Sequence, residues 1–151
     1  MTSLERGAPK IRIRPMEDED IDSVLTIDRK ITGVRRAATY TELITGDLGG
    51  VLALSIVAEV DGVVQGFILA RRVYVVAPPT EVGLIQILGV DPDYQRRGIA
   101  TKMVNALLDT CRSKKLNAVR IMINKRDNQL VGLFEHLGFR RGELVDYTKS
   151  L

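Results

Sequence analysis

The chain is poor in the residues that metal and redox chemistry require. One cysteine and one histidine stand among 151 residues, so neither a Cys/His zinc site nor an intrachain disulfide framework can be built from it. A lone Cys111 fits a reducing compartment. Tryptophan is absent and aromatics make up 5% of the chain, too few for a platform that stacks single-stranded nucleic acid. No stretch approaches the roughly 20 apolar residues of a membrane helix. Residues 1–10 carry Glu5, Arg6 and Pro9 and no apolar run, unlike a secretory signal. The expectation is a cytoplasmic protein with no membrane partner. A large charge excess is missing too: the net charge is +3 with 45% apolar residues, which excludes a disordered chain. This length suits one domain with a real core, read here as a flexible tail over residues 1–9 and a folded domain over 10–151.

What charge there is lies unevenly. Residues 17–22 read Glu-Asp-Glu-Asp-Ile-Asp, whereas from Gln95 to Arg126 nine basic residues face Asp109 alone. Such a block suits an anionic ligand, either a phosphorylated cofactor or a nucleic acid, and equally suits a solvated helix face.

Periodicity divides the chain into alternating elements. Ile11–Arg14 alternates as a half-buried strand closed by Pro15. Residues 18–31 place Ile21, Val24, Leu25, Ile27 and Ile31 at helical spacing behind acids suited to a helix start. Residues 39–45 suggest a second short helix. Residues 51–60 and 63–76 read as strands joined at Asp61-Gly62, a hairpin signal. Pro78-Pro79 separates these from a strand over 82–90. Residues 98–114 show one apolar helical face, Ile99, Met103, Ala106, Leu107 and Cys111. A strand over 117–123 follows, then a helix over 128–137 closed by Gly138, then one or two short strands within 139–151. The order β-α-α-β-β-β-α-β-α-β predicts an α/β (α+β) domain, a mixed sheet with helices on both faces.

The segment that carries chemistry runs from Leu88 to Thr101. A strand meets the turn Asp91-Pro92-Asp93-Tyr94, and Gln95-Arg96-Arg97-Gly98-Ile99-Ala100-Thr101 opens a helix. Exposed backbone N–H groups and the helix dipole converge there. Gly98 lets the backbone approach a ligand, and Arg96, Arg97 and Lys102 add full charges. Together these describe a pyrophosphate cradle, or an ordinary basic helix start. The spacing is neither the Walker A pattern nor the G-x-G-x-x-G dinucleotide fingerprint.

Here the sequence resembles the GNAT N-acetyltransferases. Gln95-Arg96-Arg97-Gly98-Ile99-Ala100 is similar to that family's acyl-CoA signature, (Q/R)-x-x-G-x-(G/A). Asp127-Asn128 followed by Leu133-Phe134-Glu135-His136-Leu137-Gly138-Phe139 resembles its N-x-x-A-x-x-L-Y-x-x-x-G-F element. Ile11-Arg-Ile-Arg-Pro before an acidic helix is similar to its first strand and helix. The resemblance spans nearly the whole chain, and the single-domain bacterial or archaeal members are the nearest type. It implies a mostly antiparallel six- to seven-stranded sheet with about four helices, splayed at the cofactor-binding strand. It also implies acetyl transfer from acetyl-CoA to a primary amine by direct attack in a ternary complex, without a metal. The cofactor-binding set implied is Leu88, Gly89, Val90, Gln95, Arg96, Arg97, Gly98, Ile99, Ala100, Thr101, Asp127, Asn128 and Phe134, with the Val90 N–H as the oxyanion donor. A homodimer through the C-terminal strands is a further implication.

Two departures stand out. The tyrosine position, the family's acid toward the leaving thiolate, is Phe134, which reads as core packing on an amphipathic helix. The thiolate is itself a tolerable leaving group, a thiol having a pKa of about 8.5. The positions that match the family's strand glutamate are Leu84 and Met122. Glu81 is the first substitute base, or else a solvated strand-end carboxylate, and Gln86 is a candidate to position a water or the acceptor. Asp28 and Glu59 are weaker candidates. His136 reads as exposed and structural, Cys111 as a small core residue. Arg35 and Arg36 either select an acidic acceptor or are solvated. The acceptor class stays open among protein N-termini, lysines and small amines. Two alternatives to an enzyme remain: an acyl-CoA-binding sensor without turnover, favoured by the missing Tyr and Glu, and a basic nucleic-acid-binding domain, favoured by charge alone.

Overall fold

The computed structural model describes residues 9–34, 38–46, 48–76 and 79–151. Residues 1–8 of the tail expected over 1–9, together with Arg35 and Arg36, lie outside them. Strand β1 is Ile11–Pro15. A single 3₁₀ turn over Asp18–Asp20 leads into helix α1, Ile21–Thr32, and helix α2 is Ala38–Thr45. Strands β2 (Ile56–Val60), β3 (Val63–Val76) and β4 (Pro79–Val90) follow. Helix α3 is Ile99–Ser113, strand β5 Val119–Ile121 and helix α4 Asn128–His136.

The strands form one sheet in the order β1-β2-β3-β4-β5, antiparallel except for the parallel β4–β5 pair. At the β2–β3 hairpin Asp61 and Gly62 both take positive φ, +50° and +86°, as a two-residue turn of the primed type requires. Apolar residues from α1 and α2 cover one face, where Val24, Ile27, Tyr40 and Ile44 meet Val57, Phe67 and Leu69. On the other face Ile99, Met103, Leu107 and Cys111 of α3 and Phe134 of α4 meet Ala58, Ile68, Ile85 and Val90. The helices on both faces were expected.

Five strands form among the described residues, where six to seven were expected. The missing pairing is at the C-terminus. Residues 139–151 form no strand, and Leu144, Val145 and Tyr147 stay exposed. Strand propensity alone does not hold a strand that has no neighbour to pack against. The strand expected over 51–60 is shorter for a different reason. Ser55 Oγ accepts from the Ala70 N–H at 3.1 Å, so a side chain takes part of the pairing a ladder would make. Regular pairing begins at Ile56.

Candidate active site

Strand β4 is paired along its whole length with β3 but touches β5 at only three positions, Gly83–Val119, Leu84–Arg120 and Ile85–Ile121. Beyond Ile85 the two parallel strands part, which is the splay the resemblance implied. A bulge marks the place: Leu69 pairs with Ile87 and Ala70 with Ile85, leaving Gln86 as the extra residue. Bulges bend a strand and end its pairing. From Gln86 to Val90, then, the edge of β4 facing β5 pairs with no strand among the described residues. The Asp91 N–H bonds the Gln65 carbonyl on β3 at 2.8 Å. Peptide groups alternate in direction along an antiparallel strand. The N–H groups of Leu88 and Val90 are therefore turned to the free edge.

The chain leaves β4 through a tightly fixed turn. Asp91 caps the 3₁₀ turn Pro92–Tyr94 by accepting from the Asp93 N–H at 2.9 Å. The Gln95 amide Nε2 donates to the Val90 carbonyl at 3.3 Å. Arg96 then adopts φ +64° and Gly98 φ +79°. The left-handed region is costly for arginine, and such strain concentrates at functional loops. Arg97 stacks over the Tyr94 ring at 4.9 Å. Gly98 occupies the N-cap of α3 and has no side-chain hydrogen bond to give, so the first N–H groups of the helix, from Ile99 to Thr101, lack a side-chain cap. A helix start left open in this way, with the exposed cations Arg96, Arg97 and Lys102 around it, binds anions. A Cβ placed on Gly98 meets no atom within 4 Å, so the space beside Gly98 at the helix start is open. These features fit a diphosphate, with a thioester arm continuing along the free edge of β4.

Residues 22–139 match the model of the acetyltransferase (GNAT) family. The chain belongs to that family. The acetyltransferase resembles the aminoglycoside N-acetyltransferase AAC(6')-Iy in complex with CoA, with 20% identity and a TM-score of 0.77 over 95% of this chain and 97% of that one. A ribosomal-protein-alanine N-acetyltransferase from Brucella melitensis biovar Abortus matches at 16% identity and a TM-score of 0.76, over 93% of this chain and 99% of that one. Naa50 of Arabidopsis thaliana, in complex with the bisubstrate analogue CoA-Ac-MVNAL, matches at 17% identity and a TM-score of 0.69, over 88% and 85%. At these identities the likeness speaks for the fold.

The remaining candidates of the acetyltransferase fall in different places. Leu88, Gly89 and Val90 adjoin the cradle directly. Gly89 has a packing reason to be glycine, because a Cβ there would stand 2.6 Å from the Phe67 ring. Glu81 lies at the far end of β4, seven residues from Leu88, which is roughly 23 Å along a strand. Its carboxylate accepts from Arg72 Nε at 2.8 Å on the outside of the sheet. The structure therefore does not bring Glu81 to the cradle, and β4 is too extended for it to act there as a base. Gln86 does lie at the splay, as the extra residue of the bulge. Glu59 bonds Arg14 Nε at 2.8 Å, and Asp28 is buried on α1.

Phe134 is 2% exposed and stacks edge-on against Phe139, ring centres 4.9 Å apart. It belongs to the core under α3 and presents no surface to a ligand. Asp127 caps α4 by accepting from the Leu130 N–H at 3.1 Å, and Asn128 begins that helix, exposed. Cys111 is buried, and burial pushes its thiol pKa up. His136 is exposed. Arg112 bonds Asp109 at 2.9 Å on the solvated side of α3, so the basic block is in part a solvated helix face.

One site residue was not singled out by sequence reasoning. Lys30 of α1 bonds the Asp91 carboxylate at 2.8 Å across 61 residues of chain. The only sequence signal was a lysine in the last turn of α1, where helix-dipole compensation already accounts for it.

Proposed function

We propose that this acetyltransferase moves the acetyl group of acetyl-CoA to a primary amine by direct attack within a ternary complex. The observation that carries the reading is the continuous run from the free edge of β4 into the uncapped, cation-ringed start of α3. The backbone N–H groups from Arg96 to Thr101 hold the pyrophosphate, with Arg96, Arg97 and Lys102 supplying charge. Leu88 and Val90 hold the pantetheine arm along the free edge. The Val90 N–H, turned to that edge, stabilises the negative charge that develops on the thioester oxygen. Gln86, at the splay, positions the acceptor or a water through its amide.

No dedicated acid is assigned. Phe134 has no proton to give, and the leaving thiolate, with a conjugate thiol near pKa 8.5, departs without one and is protonated by water. The acceptor must arrive as the free amine or lose its proton to solvent. Its class is drawn from protein N-termini, lysines and small amines. The missing acid and base favour a second reading, a protein that binds acetyl-CoA without turnover.

A calorimetric titration with acetyl-CoA tests the common part. One-to-one binding supports the cradle, and its absence in folded protein removes both readings. A panel of primary amines, followed by thiol release, then separates them. Release with any amine supports the transferase, and silence across peptides, lysines, polyamines and aminoglycosides supports the binding protein.

A further inference from the structure

Asp91 is 4% exposed, and its contacts are divided between two parts of the molecule. Oδ1 accepts from the Asp93 N–H at 2.9 Å, which shapes the loop. Oδ2 accepts from Lys30 Nζ at 2.8 Å, which reaches over from α1. The Asp91 N–H is fixed to the Gln65 carbonyl on β3, and its carbonyl accepts from the Tyr94 N–H, each at 2.8 Å. One carboxylate thus holds the loop with one oxygen and α1 with the other. Next to Lys30, Ile31 reaches over β4, its Cδ1 3.1 Å from where a Cβ on Gly89 would stand. The last turn of α1 therefore meets the site twice, at the free strand and at the loop. After Asp91 the loop has few ties of its own among the described residues: the Gln95 bond to Val90, the Arg97–Tyr94 stack, and a strained Arg96.

We propose that Lys30 is a positioning residue: bonded to Asp91, its ammonium fixes the loop against α1 and so aims the N–H groups from Arg96 to Thr101 at the cofactor's phosphates. This rests on the acetyl-CoA reading given above. Without Lys30 a nearly buried carboxylate keeps its backbone donor but loses its cation, and such a group turns toward water. Asp91 cannot turn without loosening the 3₁₀ turn that it caps. Because the Lys30 side chain is itself half exposed, the effect is one of aim rather than of folding.

The test is a double-mutant cycle read by calorimetry with acetyl-CoA and by amide exchange at residues 96–101, both well below the melting temperature. Lys30→Met is expected to weaken binding about three- to ten-fold, as loss of one charge-assisted hydrogen bond does, and to speed exchange in the loop. Lys30→Arg, which keeps the cation, is expected to restore both to near wild type. In an Asp91→Asn background Lys30→Met should add almost nothing, since the partner charge is already gone. Unchanged affinity and exchange in Lys30→Met, or an equal loss in the Asp91→Asn background, overturns the clamp. Failure of the wild-type protein to bind acetyl-CoA overturns the reading beneath it instead, and loop exchange reports on the Lys30–Asp91 tie even then.

Discussion

Two glycines next to the cradle are glycine for unrelated reasons, and the difference can be measured. Gly98 has φ +79° with open space around its missing Cβ. Gly98→Ala therefore clashes with nothing and pays for backbone handedness alone, about 1–2 kcal/mol. We expect a lowered melting temperature, and weaker acetyl-CoA binding as the helix start shifts. Gly89 is in ordinary extended backbone, but a Cβ there would press on the Phe67 ring at 2.6 and 2.8 Å. Gly89→Ala should cost roughly 1–3 kcal/mol by overpacking. Adding Phe67→Leu should recover part of that loss, as measured by urea unfolding. If the second change only adds to the first, the Phe67 contact is not the reason for Gly89.

At the scale of elements, the end of α4 explains a motif that reads as functional. The Phe139 N–H bonds the Phe134 carbonyl at 2.9 Å and the Gly138 N–H bonds the Glu135 carbonyl at 3.0 Å, with Gly138 at φ +90°. That is a Schellman ending, and the Phe134–Phe139 contact is the apolar pair that accompanies it. Asp127 closes the other end of the helix. Both ends are thus architectural, and the expected losses are energetic: about 1 kcal/mol for Asp127→Ala and about 3–5 kcal/mol for Phe134→Ala. Urea midpoints check both. Acetyl-CoA affinity measured on the folded fraction should hold for Asp127→Ala, and a ten-fold loss there would return Asp127 to the cofactor. The Gly138 stop, the Asp61-Gly62 hairpin and the helical face of α3 were legible in the sequence because each rests on local chemistry. The reach of β4 was not. Periodicity shows that Glu81 and Leu88 share a strand, but only pairing shows that β5 leaves it after Ile85 and that Glu81 turns to Arg72. Nor was Lys30–Asp91 legible, since nothing local links residues so far apart. The C-terminal strands failed for the complementary reason: Leu144, Val145 and Tyr147 have the propensity, but no partner strand among the described residues meets it.

Across the whole molecule, two buried acids tie separate elements together, Asp20 to a residue six positions away and Asp91 to one 61 positions away, and both are held ionised by what surrounds them. Asp20, at the start of α1, receives two bonds from the Arg14 guanidinium of β1 at 2.7 and 2.8 Å. Those bonds lower its pKa against the opposing effect of burial. For Asp91 burial is the largest influence and acts upward, yet the Lys30 ammonium and the Asp93 N–H together bring the pKa below the ordinary value. A carboxylate whose folded pKa is depressed contributes stability that is fully present above its unfolded pKa, about 3.9. That contribution is lost as pH falls through the folded value. Acid should therefore loosen the joints between β1 and α1 and between α1 and the cofactor-side loop in the range below about pH 4, while neutral pH leaves both closed. Urea midpoints taken between pH 6 and pH 3 are expected to fall steeply at the acid end for the wild-type protein. In Asp20→Asn and Asp91→Asn the fall should be shallower, from a lower starting stability, because each variant has already given up the charge that acid would remove. An acid limb in either variant as steep as that of the wild type would mean that the joint in question is held by packing of α1 on the sheet and not by its ion pair.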